Sequence, residues 1–296
     1  MGAVKRSRQD ALFDFFNYVL MTLAMLVVLY PLYFILIASI SSSDAVNTGQ
    51  VWLWPKGFTL EGYERIYRAK SIWMGYRNAI GYTIVGTAIN LALTLTAAYA
   101  LSAKKFFGKN MIMRFLVITM FFHGGIIPTY LIIKSLGLLN KALVMVVHEA
   151  AQVWFIIIAR TYYQSTVPEE LREAAIMDGC NHVRTFLKVV LPLSHALVAV
   201  LILYYGIGHW NQYFKALIYL RDENLYPLQL VLRKILVAAE IDEEAIEYMA
   251  AMEEQMRLYD IMKYGCIVVA SLPLLVLYPF LQRYFVKGIM IGSVKG

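Results

Sequence analysis

Residues 15–40 read FFNYVLMTLAMLVVLYPLYFILIASI and contain no charged side chain in 26 consecutive positions. A bilayer core about 30 Å thick needs roughly 20 apolar residues in a helix, because lipid offers the backbone no hydrogen-bond partner. The run is too long for the apolar part of a cleaved secretory signal, and no clear small-residue cleavage site follows it. The stretch therefore predicts an uncleaved membrane-spanning helix.

Five further stretches have the same character. They are near the length of a helical span and lack the strict alternation of a barrel strand, which favours helix. The six predicted spans are residues 15–40, 78–103, 115–133, 142–159, 193–214 and 264–282. The sequence thus predicts an all-α fold, a polytopic membrane protein with six transmembrane helices in one domain over residues 1–296.

Composition supports a membrane domain. Of the 296 residues, 60% are hydrophobic and 16% are charged, and the mean hydropathy is +0.59. A soluble domain carries about 25% charged residues. The net charge of +7 is not concentrated on one stretch, which argues against a nucleic-acid-binding module. The two cysteines, Cys180 and Cys266, are predicted at different depths of the membrane, so neither a disulfide nor a metal site is expected.

The distribution of basic residues predicts the orientation. Short segments that would face the cytoplasm carry most of the Lys and Arg, although five basic residues in the first outer loop weaken the asymmetry. We expect both termini in the cytoplasm. The outer segments are then residues 41–77 and 218–259. Within them, the sequence predicts a short helix at Phe58–Tyr67 capped by Thr59, and a surface helix at 239–258.

The segment between the fourth and fifth spans is unusually well marked. Residues 167–192 read VPEELREAAIMDGCNHVRTFLKVVLP. Pro168 suits the first turn of a helix, and Gly179 permits a left-handed turn at its end. Asn181 can cap a second helix, which Pro192 would end as the chain re-enters the membrane. The apolar face of that second helix is predicted at Val183, Phe186, Leu187 and Val190. Residues 164–192 are therefore predicted to form a rigid cytoplasmic helix–turn–helix.

This segment resembles the EAA signature of ABC importer permeases. The match comprises Glu173-Ala174-Ala175, then Gly179, then Leu191-Pro192, with Val189 in place of the usual isoleucine. An interfacial helix without a partner is the alternative interpretation. The resemblance implies a coupling helix that sits in a cleft of a cytoplasmic ATPase subunit. The residues it implies for ATPase coupling are Glu173, Ala174, Ala175, Asp178, Gly179, Leu191 and Pro192.

Three other stretches resemble the carbohydrate-uptake branch of these permeases. They are Gly208–Phe214, Tyr226–Leu230 and Phe285–Gly296. The chain is similar to permeases of the LplC and YtcP kind, relatives of the maltose importer's second permease, and to the second permease of the alginate importer. The resemblance implies a non-catalytic subunit that binds no cofactor, while ATP and Mg are used by partner subunits. The implied partners are a second, different permease, two ATPase subunits, an extracytoplasmic sugar-binding protein and a carbohydrate substrate.

Two stretches resemble catalytic motifs, but each lacks a residue that the motif requires. The glycine spacing of Gly81–Thr87 is that of a nucleotide-binding loop, but the required lysine is missing. His148-Glu149 begins like the zinc-protease motif HExxH, but Gln152 replaces the second histidine. An intramembrane protease is therefore a remote alternative.

Polar and aromatic residues near the fourth and fifth spans are candidates for the substrate path. Ionisable groups in a span usually face a cavity or a partner, and sugars bind by aromatic stacking and hydrogen bonds. The candidates are His148, Glu149, Tyr205, His209, Trp210, Asn211 and Tyr213. Local packing and an interfacial aromatic belt are the alternative explanations.

The predicted function is alternating-access import of an oligo- or polysaccharide, driven by ATP. A uronate such as alginate and a neutral oligosaccharide are both compatible with the residues. An ion-coupled secondary transporter is the alternative; it would need intramembrane carboxylates, and Glu149 is the only one in the six predicted spans.

Overall fold

The structure is a computed structural model that describes residues 8–240 and 260–276. The described residues contain helices and loops but no strand, which agrees with the predicted all-α fold. The helices are α1 (Arg8–Ala38), α2 (Ser43–Asn47), α3 (Glu61–Arg68), α4 (Lys70–Ser102), α5 (Lys109–Phe121), α6 (Ile126–Ser135), α7 (Ala142–Val147), α8 (Val153–Thr166), α9 (Glu169–Met177), α10 (His182–Thr185), a π-helical turn (Phe186–Val190), α11 (Leu191–Leu193), α12 (His195–Trp210), α13 (Phe214–Tyr219), a 3₁₀ turn (Glu223–Leu225), α14 (Leu228–Glu240) and α15 (260–276).

Length and hydropathy identify the membrane-crossing elements. Among the described residues, two helices are long and apolar enough to cross a bilayer, within α1 (Leu12–Ala38) and at α4. Two bent helix pairs also qualify if each counts as one span, which gives up to four. The last predicted span, residues 264–282, falls partly outside the described residues. Most of the helix predicted at 239–258 and the C-terminal stretch Phe285–Gly296 also lie outside them.

The chain divides into two compact units. The first comprises Met1–Ala69 and Lys234–Ser271. In it, the Tyr63 hydroxyl lies 2.8 Å from the Ser39 hydroxyl, which ties α3 to the end of α1. The Thr59 hydroxyl accepts a hydrogen bond from the Glu61 N–H at 3.2 Å, but Leu60 occupies the cap position, so the predicted cap at Thr59 is displaced by one residue. The helix itself begins three residues later than predicted, at Glu61.

The second unit comprises Lys70–Arg233 and Leu272–Gly296. It is built around α4, a continuous helix of 33 residues that is about 50 Å long at 1.5 Å per residue. The buried side chains of α4 pack against α8, α12 and the segment that follows α9. This core comprises Leu95, Ala98, Ala159, Tyr163, Val167, Phe186, Val190, Leu197, Leu201 and Tyr205.

The predicted fourth span is not one helix. It divides into α7 and α8, and residues 148–152 between them are not helical. Glu149 adopts a left-handed backbone conformation with φ of 63°, which is rare outside glycine. An irregular backbone at membrane depth is tolerated only where its polar groups are bonded or line a cavity. Here the Ala150 carbonyl accepts a hydrogen bond of 2.6 Å from the Asn90 side chain.

The third predicted span is also bent, and the turn that leads into the fifth predicted span falls later than predicted. The chain turns by 114° between α5 and α6, where Gly125 has φ of 81°. It turns by 84° between α11 and α12, at Ser194 rather than at the predicted Pro192. The π-helical turn directly before Pro192 widens the helix, which accommodates a ring that would otherwise collide with the preceding turn. Pro192 therefore lies within the helix, and the break falls two residues later, at Ser194.

Gly86 allows α4 and α12 to approach closely, which gives a test of this packing. A Cβ at Gly86 would overlap the His209 ring, so we expect Gly86→Ala to destabilise the protein by about 1–3 kcal/mol through overpacking. Thermal unfolding of the purified protein in detergent measures the effect. Gly81→Ala is the matched control in the same helix, because nothing lies within 4 Å of a Cβ there. Equal behaviour of the two variants would contradict the close contact.

Candidate functional site

The first candidate region is the segment around α9. Glu169 and Glu170 occupy its first turn, where carboxylates favour the positive end of a helix. The helix ends as predicted, since Gly179 is left-handed with φ of 79°. The Cys180 N–H then donates to the Ala175 carbonyl at 2.9 Å, the bond expected for a glycine-terminated helix. Pro168 lies at the cap position, one residue before the predicted first turn.

Asn181 caps the next helix, as predicted. Its side-chain oxygen accepts a hydrogen bond from the Arg184 N–H at 2.8 Å, and α10 begins at His182. The apolar face predicted for this helix is only half correct. Phe186 and Val190 are buried, whereas Val183 and Leu187 are exposed. The turn between α9 and α10 is therefore held by local hydrogen bonds at both sides.

The two faces of α9 differ in exposure. Glu173, Ala174, Asp178 and Gly179 are exposed and together form the outer surface of α9 and of the turn that follows it. Ala175 is buried, Leu191 is partly buried, and Pro192 is exposed. Ala175 therefore faces the protein interior and is not available on the surface that the EAA resemblance implies for docking.

The second candidate region is a cavity of about 400 Å³ beside the break between α7 and α8. Its wall combines aromatic rings with amide, imidazole, carboxylate and ammonium groups. The lining residues are Asn90, His148, Glu149, Gln152, Phe155, Tyr204, Tyr205, Gly208, His209, Asn211, Gln212, Tyr213, Phe214 and Lys215. Six of the seven residues predicted from the sequence for the substrate path are in this wall.

Trp210 is the exception. It is buried, its ring centroid lies 6.0 Å from that of Tyr76, and it lines a separate apolar groove. Because Trp210 follows His209 directly in α12, the two side chains point in different directions around the helix. The structure therefore places Trp210 in helix packing and not in the cavity wall.

Asn90 organises one side of the cavity. Its amide donates to the Ala150 carbonyl at 2.6 Å, and its oxygen lies 2.6 Å from Nε2 of His209. Since the Asn90 oxygen can only accept, His209 donates from Nε2. The neighbouring pair Thr94 and Tyr205 joins the same helices through hydroxyl groups 2.6 Å apart.

A charged cluster forms the other side. Lys215 Nζ lies 3.3 Å from the Glu149 carboxylate and donates to the His148 carbonyl at 3.1 Å. Nδ1 of His148 lies 3.7 Å from the same carboxylate. The Lys215 side chain is 16% exposed and that of Glu149 is 62% exposed. The carboxylate thus reaches into open space, while the ammonium group is held against the broken backbone.

The charged cluster also borders a second cavity of about 430 Å³, which contains His123, Thr129 and Tyr219. Tyr219 lies outside the predicted spans. Burial raises the pKa of its hydroxyl, and the nearby Glu149 carboxylate raises it further. The hydroxyl therefore stays protonated at neutral pH and can donate a hydrogen bond.

Among the residues that the structure describes, no cluster of three or more His, Cys, Asp or Glu side chains could hold a metal ion. The aromatic rings and polar groups of the cavity wall offer stacking surfaces and hydrogen bonds to a polyhydroxylated ligand.

Long apolar helices, a polar cavity beside a broken helix and an exposed helix–turn–helix are the features of a membrane permease subunit. The chain belongs to the family of binding-protein-dependent transport system inner membrane components, whose profile matches residues 1–291. The resemblance to ABC importer permeases is thereby confirmed.

Its relatives match over nearly the full length. The chain is 35% identical over 273 residues to Protein LplC of Bacillus subtilis, which covers 91% of this chain and 90% of that protein. It is 34% identical over 288 residues to the polygalacturonan/rhamnogalacturonan transport system permease protein YtcP of Bacillus subtilis. This match covers 97% of this chain and 100% of that protein. A crystal structure of a bacterial ABC transporter involved in the import of the acidic polysaccharide alginate contains a chain with a TM-score of 0.87 and 34% identity, covering 96% of this chain and all of that one.

Sequence reasoning missed three residues of these regions. Asn90 carried a usable signal, because an amide in the middle of an uncharged span needs a partner. Lys215 directly follows the fifth predicted span, and its partner Glu149 is 66 positions away in the chain, so no local pattern indicates their contact. Arg172 directly precedes the EAA triplet, where a charged side chain is expected to be exposed, yet it is buried.

The left-handed turn at Gly179 gives the test for this region. Gly179→Ala meets no neighbouring atom but places a Cβ in a strained conformation, at a cost of about 1–2 kcal/mol. Gly179→Asn is the matched variant, since asparagine tolerates this backbone better. The unfolding temperature in detergent should be highest for wild type, intermediate for Gly179→Asn and lowest for Gly179→Ala. If Ala were as stable as wild type, the turn would not require a left-handed residue.

Proposed function

We propose that this chain forms half of the translocation path of an ATP-driven importer for oligo- or polysaccharides. A second, different permease supplies the other half. An extracytoplasmic binding protein delivers the sugar at the outer face, and both termini of this chain lie in the cytoplasm. Two ATPase subunits dock at the coupling helices and use ATP and Mg, while this chain performs no covalent chemistry.

The observation that carries this proposal is the composition of the 400 Å³ cavity. Phe155, Tyr204 and Tyr213 offer aromatic faces, and Asn211 and Gln212 offer amide groups. The Gln212 amide is buried, and among the described residues its interaction with the His209 ring falls outside normal hydrogen-bond geometry. A buried polar group without a partner is costly, and a sugar hydroxyl would satisfy it.

The exposed outer surface of α9 supports the proposed coupling to an ATPase subunit. Its exposed residues include the Glu173 carboxylate and large apolar side chains, among them Met177, which is 86% exposed. Isolated apolar side chains on a rigid, projecting element suit a partner pocket better than solvent. A stiff helix held at both ends is also what a rigid-body movement requires.

Within this function, we favour an acidic polysaccharide. Lys215 brings an ammonium group to the cavity wall, where its present partner is the exposed Glu149 carboxylate. A uronate carboxylate can take the place of Glu149 at this ammonium group. The names of YtcP and of the transporter with the similar fold both refer to acidic polysaccharides.

The coupling proposal is tested by reconstituting this chain with its partner permease, ATPase and binding protein in vesicles. In wild type, loaded binding protein should stimulate ATP hydrolysis. Glu173→Lys should abolish the stimulation, because it reverses the charge at the centre of the docking surface, and Glu173→Gln should weaken it less. Full stimulation in Glu173→Lys, together with uptake that follows an ion gradient without ATP, would support the ion-coupled alternative instead.

The substrate proposal is tested by uptake of an oligogalacturonate and of a neutral oligosaccharide of equal length. Lys215→Gln should lower the initial rate for the acidic sugar about tenfold, which corresponds to about 1.4 kcal/mol. The neutral sugar should be little affected. Lys134→Gln, at an exposed lysine outside both cavities, is the control. A parallel loss for both sugars would show that Lys215 only maintains the structure.

A further inference from the structure

Arg172 is a buried cation on the inner face of α9. Only 5% of the residue is exposed, although it lies in a short helix on the surface of the protein. No carboxylate lies within 4 Å of it in the part of the chain that the structure describes. A buried charge without a counter-ion is costly, so its position must be stabilised in another way.

The contacts of Arg172 all lead to the ends of membrane helices. Its Nη2 donates to the Ser102 hydroxyl at 3.1 Å and to the Tyr163 carbonyl at 3.4 Å. Its guanidinium carbon lies 5.4 Å from the centre of the Tyr99 ring, a cation–π distance. Tyr99 and Ser102 form the last turn of α4, and Tyr163 belongs to α8. One side chain thus ties α9 to two long helices.

The C-terminus of α4 explains why a cation is accepted there. The last carbonyls of a helix carry partial negative charge, and cations near them are stabilised. Arg160 Nε donates to the Leu101 carbonyl at 3.1 Å. Lys109 Nζ donates to the carbonyls of Ala103 and Lys104, which directly follow the helix, at 2.8 and 3.1 Å. Arg172 is the third cation at this helix end, and it alone of the three comes from α9.

From this end, α4 leads directly to the cavity. Ser102 and Asn90 are 12 positions apart in one unbroken helix, a distance of about 18 Å. Asn90 lines the cavity and contacts His209, and Thr94 contacts Tyr205. A displacement of the α4 terminus therefore moves the cavity wall, because a hydrogen-bonded helix without a break transmits axial movement.

We propose that Arg172 is the positioning residue that transmits the movement of α9 to α4 and so to the cavity. This inference rests on the proposed function, in which α9 is the ATPase-coupling helix. Arg172 does not contact the ATPase surface, since it points inward. Its planar guanidinium group suits the task, because it can stack on Tyr99 and donate in fixed directions at the same time.

The experiment measures ATP hydrolysed per sugar imported in the reconstituted complex. In Arg172→Gln we expect this ratio to rise about fivefold or more, the lower bound of usual coupling energies, because hydrolysis continues while the cavity no longer responds. Arg172→Lys keeps the charge but not the planar group, and should give an intermediate ratio. Arg160→Gln is the matched control at the same helix end. It should lower thermal stability but leave the ratio at the wild-type value.

A wild-type ratio in Arg172→Gln would overturn the inference and leave the proposed function intact. A ratio raised equally in Arg160→Gln would also overturn it, since the effect would then belong to the helix end as a whole. If the complex with Arg172→Gln does not assemble, the ratio of ATP hydrolysed to sugar imported is measured for Arg172→Lys. A wild-type ratio in that variant would overturn the inference. An absence of sugar-stimulated hydrolysis in wild type would overturn the proposed function and this inference together.

Discussion

The hydrogen bonds of Asn90 are the contacts on which the central part of this protein depends. The Asn90 amide reaches the Ala150 carbonyl, and its oxygen reaches His209, each at 2.6 Å. The first bond satisfies a backbone carbonyl where the chain leaves helical conformation between α7 and α8. In a bilayer such a carbonyl has no water to bond, so the irregular segment requires an internal donor. The second bond fixes α12 beside the same segment.

This arrangement explains how a polar cavity exists inside an apolar protein. Breaking the helix between α7 and α8 exposes backbone groups and brings Glu149 to the surface of the cavity. The Lys215 ammonium group bonds both the Glu149 carboxylate and the His148 carbonyl, which offsets the cost of the left-handed conformation at Glu149. The same groups that stabilise the break also provide the polar wall of the cavity.

The long helix α4 connects the two candidate regions. Its middle carries Asn90 and Thr94 at the cavity, and its end carries Tyr99 and Ser102 at the guanidinium group of Arg172. The exposed residues of α9 and the buried Arg172 lie on different faces of this helix.

By itself, the sequence determined the all-α membrane class, the family and the local structure of the segment around α9. These follow from short-range physics: apolar runs of span length, the left-handed turn at Gly179 and the cap at Asn181. Only the tertiary structure decided where the spans break, that Trp210 and Ala175 face the interior, and that Arg172 is buried. Those outcomes depend on partners distant in the chain. Asn90 and His209 are 119 positions apart and Arg172 and Ser102 are 70 apart, and no local pattern encodes such contacts.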